Sequence, residues 1–233
     1  MSEAPTATGY TLEFVLSRLP AHARDILEVG CGEGELAQRL GSEGFKVVAL
    51  DSSGDCVEAA RARGVDARTG EWPIEIGEDQ RFDAVLFTRS LHHIHQLDAA
   101  VAAAVAALRP GGRIIVEDFR IEADSARTQA WFGGLVRLLD AGNLFRERSA
   151  AETILEKLDL REHQRELHAS TAMAQALRSH GKVEEQDAAY YFRYAEAQVE
   201  PKIARLLLDY ELSLIDAGAI DPLGKRFVLS PNS

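Results

Sequence analysis

Residues 25–36 read DILEVGCGEGEL, in which a short apolar run leads into a loop with glycines at positions 30, 32 and 34. An apolar run of this length before a glycine-rich loop is typical of a buried strand that turns into a helix. Glycine has no Cβ, so these positions can adopt positive φ and let the backbone come close to a ligand. The segment therefore predicts a strand, a binding loop and a helix, in that order.

The charge of this loop separates the ligands that it could hold. A dinucleotide-binding loop has its third glycine three positions after the second, where a pyrophosphate meets the start of the helix. In this chain that position is Glu35, and Glu28 adds a second carboxylate at the end of the strand. Carboxylates repel a pyrophosphate, so the loop favours a ligand that carries positive charge.

A second predicted strand, KVVAL at residues 46–50, is followed by Asp51 and Ser52. An acidic residue about 20 positions after the glycine loop of a βαβ unit accepts hydrogen bonds from ribose hydroxyls. These features fit S-adenosylmethionine better than NAD. The glycines do not need to bind phosphate, one acid would lie near a cationic group, and another would bind ribose. The small side chain of Cys31 is predicted to line the same site.

With these residues the chain resembles the class I S-adenosylmethionine-dependent methyltransferases. Their first motif has an acid and then three glycines at alternate positions, as at Glu28, Gly30, Gly32 and Gly34. The resemblance continues through GEWP at 70–73, RFDAVLFTRSLHHI at 81–94 and LRPGGRIIVEDF at 108–119. It covers about half of the chain and is strongest to the small-molecule subgroup called methyltransferase type 11 or 12.

The resemblance implies roles for further residues. Glu71 and the backbone amide of Trp72 match the loop in which the family reads adenine, with Asp66 as the second candidate. Thr88 and Arg89 follow the predicted fourth strand and are expected beside the methionine end of the cofactor or beside the acceptor. These positions lie beyond the carboxyl ends of the strands, where ligands bind in open α/β sheets.

His92 and His93 come shortly after the same strand, close to the expected place of the methyl group. A neutral imidazole there could act as the general base that removes a proton from the acceptor. The competing interpretation is structural, since a similar Leu-His-His stretch leads into the next helix in related proteins. A metal site is not predicted, because neighbouring histidines do not easily converge on one ion and no carboxylate completes a ligand set.

Strands and helices alternate over the first half of the chain, which predicts a parallel sheet with helices on both faces. The expected strands are 25–29, 46–50, 65–68, 82–88 and 113–118, and the expected helices are 34–41, 54–63 and 97–108. With the resemblance, the fold class is α/β, a Rossmann-like, doubly wound, mostly parallel sheet of seven strands with a helical insertion in the C-terminal half.

One domain is expected over residues 1–233, in three parts. Residues 1–24 hold an N-terminal helix over 9–19, residues 25–119 form the cofactor-binding core, and residues 120–233 form substrate-side helices and the last strands. The elements expected in the third part are helices at 124–140, 149–158, 171–179, 184–197 and 201–217 and strands near 161–169 and 226–230. In the family the last two strands are nearly adjacent in sequence, so the helices between 169 and 226 are interpreted as the insertion.

Composition limits the partners. The formal net charge of −11 repels polyanions, so a nucleic-acid substrate is not expected. No apolar run approaches the roughly 18 residues of a membrane span, and the first residues do not resemble a signal peptide, so a cytoplasmic location is expected. The two cysteines, Cys31 and Cys56, show no metal-binding or disulfide spacing.

The predicted function is therefore S-adenosylmethionine-dependent methyl transfer to a small molecule by in-line displacement. Two alternatives stay open at this point: a nicotinamide-dependent oxidoreductase on the same fold, and a non-catalytic module that binds S-adenosylmethionine. The sequence does not identify the acceptor atom or the oligomeric state.

Overall fold

The computed structural model describes residues 6–73, 80–120, 122, 125–157 and 167–232. The strands are β1 Asp25–Val29, β2 Lys46–Asp51, β3 Asp66–Thr69, β4 Phe82–Thr88, β5 Leu108–Phe119, β6 Gly181–Ala188 and β7 Gly224–Pro231. The helices are α1 Ala7–Arg18, α2 Glu35–Ser42, α3 Gly54–Ala62, α4 Leu97–Ala106, α5 Ala126–Ala141, α6 Ala150–Lys157, α7 Ser170–Arg178, α8 Phe192–Ala195 and α9 Pro201–Asp216. None of the helices within these ranges is long and apolar enough to cross a bilayer.

The strands form one seven-stranded sheet in the order β3-β2-β1-β4-β5-β7-β6. Neighbours from β3 to β5 are parallel, which confirms the predicted α/β fold with a mostly parallel sheet. The register aligns the carboxyl ends of the central strands, because Val29 lies opposite both Leu50 and Phe87, and Thr88 lies opposite Glu117. Residues that follow β1, β2, β4 and β5 therefore meet at one edge of the sheet.

The chain divides into two compact units. The sheet unit comprises Thr11–Phe119, His168–Gln186 and Arg226–Ser233, and it contains the sheet with α2, α3, α4 and α7. The helical unit comprises Met1–Tyr10, Arg120–Leu167 and Asp187–Lys225, and it contains α5, α6, α8 and α9. The expectation of a single domain stays a prediction.

Alternate residues of β1 pack on opposite faces of the sheet, as period-two strands require. Ile26 belongs to a core cluster with Phe14 of α1 and Leu40 of α2. Leu27 and Val29 belong to another cluster, which includes residues of α4 and α7. Because both faces are covered, the central strands are continuous apolar runs.

A buried ion pair links three elements of the sheet unit. Oε2 of Glu117 in β5 accepts hydrogen bonds from Arg226 of β7, at 2.7 Å from Nε and 2.6 Å from Nη2. Oε1 of the same carboxylate accepts a 2.6 Å hydrogen bond from the hydroxyl of Thr11 in α1. The guanidinium of Arg226 also lies 4.4 Å from the ring centre of Phe14. Sequence analysis did not identify this pair.

The predicted helix at 184–197 is wrong. The structure has β6 over most of the first half of this range, followed by the short α8 and a 3-10 helix at Glu196–Gln198. β6 is an edge strand with the sequence GKVEEQDA, whose charged residues have low β propensity and hide the strand pattern. Charge is common on edge strands because it discourages pairing with other chains. Two of its acids form ion pairs, Glu184 with Arg18 and Glu185 with Arg178.

Because β6 lies within the stretch that was interpreted as the helical insertion, the insertion is shorter than predicted. It lies between β6 and β7 and contains α8 and α9, whereas α7 precedes β6. The amide of Asn232 donates a 3.0 Å hydrogen bond to the carbonyl of His180, which brings the end of β7 beside the start of β6. The predicted strand near 161–169 falls mainly on residues 158–166, which lie outside the described residues.

A buried carboxylate organises part of the helical unit. Glu211 of α9 accepts hydrogen bonds from the backbone N–H groups of Tyr190 at 2.6 Å, Tyr191 at 2.9 Å and Phe192 at 2.8 Å. Burial nevertheless raises the pKa of Glu211 to about 7. Tyr191 packs against Phe132 of α5 at 5.0 Å between ring centres. These aromatic residues are part of the core of the helical unit.

Candidate functional site

The glycine loop follows β1 and is held to β2, because the amide of Gly30 donates a 2.8 Å hydrogen bond to the carbonyl of Leu50. Gly30, Gly32 and Gly34 have φ of 74°, 53° and 77°. A Cβ on Gly30 would lie 2.3 Å from Cβ of Ser90, so this glycine lets the loop after β4 pack on the loop after β1. A Cβ on Gly32 would meet nothing within 4 Å. The backbone of Gly32 is therefore open to a ligand.

Asp51 is bound to the glycine loop. Its Oδ2 accepts a 2.8 Å hydrogen bond from the amide of Gly32, and its Oδ1 accepts a 2.9 Å hydrogen bond from the amide of Ser53. Each oxygen keeps a further lone pair that can accept a hydrogen bond from a hydroxyl group. The structure thus brings the predicted ribose acid and the predicted binding loop together, with the exposed Ser52 beside them.

Glu28 is a buried carboxyl with only one of its oxygens satisfied. Its Oε1 accepts a 3.2 Å hydrogen bond from the hydroxyl of Thr88, whereas its Oε2 is buried without a hydrogen-bond partner. Burial raises the pKa of Glu28 to about 7, although the Thr88 hydroxyl, the Arg89 guanidinium and the backbone amide of Ala37 lower it. A positively charged ligand group beside Glu28 would offset the free energy that this burial costs.

Arg89 has an unusual backbone. Its φ is 61°, in the left-handed region that few non-glycine residues adopt, and such strain concentrates at binding and active sites. Its amide donates a 2.7 Å hydrogen bond to the carbonyl of Glu117. Nη1 of the side chain is buried without a hydrogen-bond partner and lies 3.9 Å from Oε1 of Glu117. Arg89 therefore keeps a positively charged donor for another group.

The two predicted catalytic histidines lie in different surroundings. His92 is 1% exposed, and its Nδ1 forms a hydrogen bond with Asp118 of β5. His93 is exposed, and its ring centre lies 4.0 Å from that of His92. The pKa of His93 is lowered, mainly because its ring is partly buried. Its imidazole is therefore neutral at neutral pH. His93 can thus accept a proton from a molecule that reaches this edge of the sheet.

In the predicted adenine loop, the side chain of Trp72 is buried. The indole N–H of Trp72 donates a 3.0 Å hydrogen bond to the carbonyl of Ala100, and the ring packs edge-on against Phe87. The side chain of Trp72 is therefore part of the core, and the adenine role of its backbone amide stays a prediction. Glu71 is exposed, and Asp66 pairs with Arg68 at 3.3 Å.

Cys31 is buried in the glycine loop. Burial, with the negative charges of Glu28 and Asp51, raises the pKa of its thiol to about 12. A thiol with this pKa stays protonated and is a poor nucleophile at neutral pH. Cys31 lines the loop as a small apolar residue.

Sequence analysis missed Glu117 and Asp118, both buried at the end of β5. The signal was present in IIVEDF, where two carboxylates follow three branched apolar residues of a buried strand. Acids in such a place need partners inside the fold. Among the residues that the structure describes, no group of three histidine, cysteine or acidic side chains is arranged to hold a metal ion.

Residues 9–165 match the model of a methyltransferase domain family. A ubiquinone biosynthesis O-methyltransferase of Xylella fastidiosa (strain 9a5c) is 31% identical over 112 residues, which are 45% of this chain and 46% of the relative. Another protein of that name, from Methylobacterium nodulans, is 34% identical over 102 residues, 40% of each chain. The chain spans about half the length of the curated relatives that it matches.

Solved structures share the fold over nearly the whole chain. A protein from Pyrococcus horikoshii OT3 has a TM-score of 0.59 and 17% sequence identity, covering 97% of this chain and 94% of that protein. A SAM-dependent methyltransferase of Thermotoga maritima has a TM-score of 0.59 and 16% identity, covering 97% and 90%. At these identities the likeness shows the fold alone.

Proposed function

The chain belongs to the methyltransferase domain family, and we propose that it transfers the methyl group of S-adenosylmethionine to a hydroxyl group of a small molecule. The observation that carries the proposal is a pair of unsatisfied buried atoms of opposite charge, Oε2 of Glu28 and Nη1 of Arg89. Both residues lie at the edge of the sheet where the glycine loop and Asp51 meet.

This pair fits the amino-acid end of the cofactor. Methionine carries an ammonium group and a carboxylate, and Glu28 and Arg89 offer one unsatisfied partner for each. Asp51 would accept hydrogen bonds from the ribose hydroxyls. Glu71 and the backbone amide of Trp72 would bind adenine. The exposed backbone of Gly32 would lie against the cofactor without a side chain between them.

The reaction needs positioning and a proton acceptor. When bound, the cofactor supplies an electrophilic methyl group on a positively charged sulfur, which keeps the electron pair as the acceptor oxygen takes the methyl group. Glu28, Arg89 and Asp51 would fix where this methyl group lies, and such positioning supplies much of the rate. His93 would take the hydroxyl proton, and His92 would support it from the buried side.

The acceptor class rests on two arguments. The curated relatives are named as O-methyltransferases, and a neutral histidine at the site suits a nucleophile that must lose a proton. The net charge of −11 favours a small-molecule acceptor over a nucleic acid. A nicotinamide cofactor is disfavoured, because Glu28 and Glu35 would lie near its pyrophosphate.

Calorimetry and a transfer assay test this proposal. We expect S-adenosylmethionine to bind and NADH not to bind, and we expect labelled methyl groups to pass to hydroxyl acceptors in a panel of catechol, phenol, an aliphatic alcohol and an amine. Binding of NADH in place of S-adenosylmethionine would overturn the cofactor assignment. Methylation of the amine with none of the hydroxyl acceptors would overturn the acceptor class.

A further inference from the structure

Asp118 is wholly buried at the end of β5 and faces His92. We propose that Asp118 is a positioning residue that acts through His92, holding the ring of His93 where it can accept the proton of the acceptor. This inference rests on the proposed function, because it takes His93 as the base.

Three hydrogen bonds fix Asp118 and His92 to each other and to the strand. Oδ1 of Asp118 binds Nδ1 of the His92 ring, and Oδ2 accepts a 3.1 Å hydrogen bond from the His92 amide. Oδ1 also accepts a 2.8 Å hydrogen bond from the amide of Phe119. The carboxylate therefore sets both the backbone and the ring orientation of His92. The ring Nε2 has no hydrogen-bond partner among the described residues.

The ring of His92 is enclosed by two other rings. His93 lies against it with 4.0 Å between ring centres and 41° between planes, and Phe119 meets it edge-on at 4.9 Å. The carbonyl of His92 accepts a 3.0 Å hydrogen bond from the amide of His168, whose Nε2 lies 2.9 Å from the carbonyl of Ile94. Rotation of His92 would remove the surface on which His93 rests.

Stability alone does not explain this arrangement. Burying a carboxylate costs free energy, and replacing buried ion pairs by apolar residues of similar volume is often neutral or stabilising. Among the residues that the structure describes, the titratable groups that act on His93 are His92, which lowers its pKa, and Asp118, which raises it, while partial burial of the ring is the main cause of the lowered pKa.

NMR of the cofactor-free protein tests the positioning without any acceptor. A ring N–H bonded to a buried carboxylate resonates at low field, and a ring stacked on another ring carries a ring-current shift. In Asp118→Asn we expect the low-field signal of His92 to move upfield and the His93 ring protons to move towards the shifts of the exposed His22. Unchanged His93 shifts in a folded Asp118→Asn protein would overturn the proposal.

Asp83→Asn is the matched control. Asp83 is also buried and lies in β4, but at the opposite end from His93, where it accepts hydrogen bonds from the amides of Arg24 and Asp25. This variant should lower stability and leave the His93 shifts unchanged. Should Asp118→Asn fail to fold, Asp118→Glu keeps the charge while moving the carboxylate, and it is expected to displace the His93 shifts as well.

A double-mutant cycle with catechol as acceptor tests the route of the effect. Asp118→Asn should lower kcat about 100-fold with KM nearly unchanged, and His93→Gln should lower it by at least as much. In the double variant kcat should be no lower than in His93→Gln, because the two residues act as one unit. If the losses of the two single variants multiplied in the double variant, the proposed role of Asp118 would be overturned. Full activity of His93→Gln would instead reject the base in the proposed function.

Discussion

The carboxylate of Asp51 accepts a 2.8 Å hydrogen bond from the backbone amide of Gly32. The residue proposed to bind ribose thus also holds the part of the glycine loop that is open to a ligand. A change at Asp51 therefore removes both the proposed ligand contact and a support of the loop.

We expect Asp51→Ala to raise the dissociation constant for S-adenosylmethionine by about 10- to 100-fold, since hydrogen bonds to charged groups contribute about 1.5–3 kcal/mol. Isothermal titration calorimetry measures this change. Asp216→Ala is the control, because Asp216 is exposed at the end of α9 in the helical unit. Equal losses in the two variants would contradict the ribose assignment.

Two glycines of the loop should respond differently to alanine. Gly30→Ala brings Cβ within 2.3 Å of Ser90, so we expect the free energy of unfolding to fall by about 3 kcal/mol or more. Gly32→Ala meets open space and should lower it by about 1 kcal/mol. The Gly32 variant should nevertheless bind S-adenosylmethionine more weakly, since the new methyl group occupies ligand space. Urea unfolding and calorimetry separate the two effects.

The cofactor half of the fold was predictable from local pattern. The strand before Gly30 and the strand before Asp51 are apolar runs bounded by turn residues, and their placement and parallel order are confirmed. The match of residues 9–165 likewise confirms that the chain belongs to the predicted methyltransferase family. β6 was not predictable in this way, because its charged residues are held by ion pairs at the sheet edge rather than by an apolar face.

The candidate site was predictable only in part. Glu28 and Asp51 could be predicted from their positions, because each lies at or near the end of a strand beside the glycine loop. Asp118 and its bond to His92 depend on which strands are neighbours, and β4 and β5 are paired only in the folded chain. The left-handed backbone of Arg89 likewise comes from packing of the loop and has no local sequence signal.

Glu28 should make stability depend on pH. Its pKa is raised from 4.5 to about 7 in the folded chain, so the folded state binds more protons than the unfolded state between these values. The free energy of unfolding must then fall as pH rises through this range and level off above pH 7. Glu211 acts in the same direction, because its pKa is also raised to about 7.

The variant Glu28→Gln should flatten part of this slope and be more stable than the natural chain at pH 8, by up to about 3 kcal/mol. Urea unfolding at pH 5, 6, 7 and 8 measures both quantities. The remaining slope combines the effect of Glu211 with the opposite effect of His93, whose pKa is lowered in the folded chain. A Glu28→Gln protein with the unchanged slope would show that Glu28 is not the titrating group. The same variant should bind S-adenosylmethionine more weakly, because it lacks the negative charge for the ammonium group.

The ion pair of Glu117 and Arg226 predicts a large loss of stability. Arg226→Met leaves the buried carboxylate of Glu117 without its main partner, and breaking a buried pair in this way costs about 3–5 kcal/mol. Because Glu117 also lies 3.9 Å from Nη1 of Arg89, the variant should weaken cofactor binding as well. Thermal unfolding and calorimetry check both effects. Arg205→Met, which breaks an exposed pair with Asp209, is the control and should change stability by less than about 0.5 kcal/mol.

The pH dependence of turnover distinguishes a histidine base from positioning alone. Burial lowers the pKa of His93 below its usual 6.5, so the neutral form that accepts a proton persists into weakly acidic solution. With catechol as acceptor, kcat should therefore stay constant from pH 8 down to about 6.5 and fall below that value as His93 takes up a proton. In His93→Gln the residual rate should be lower and should lack this acid limb. An acid limb that survives in His93→Gln would assign it to another group, and a rate that rises at low pH would contradict base catalysis altogether.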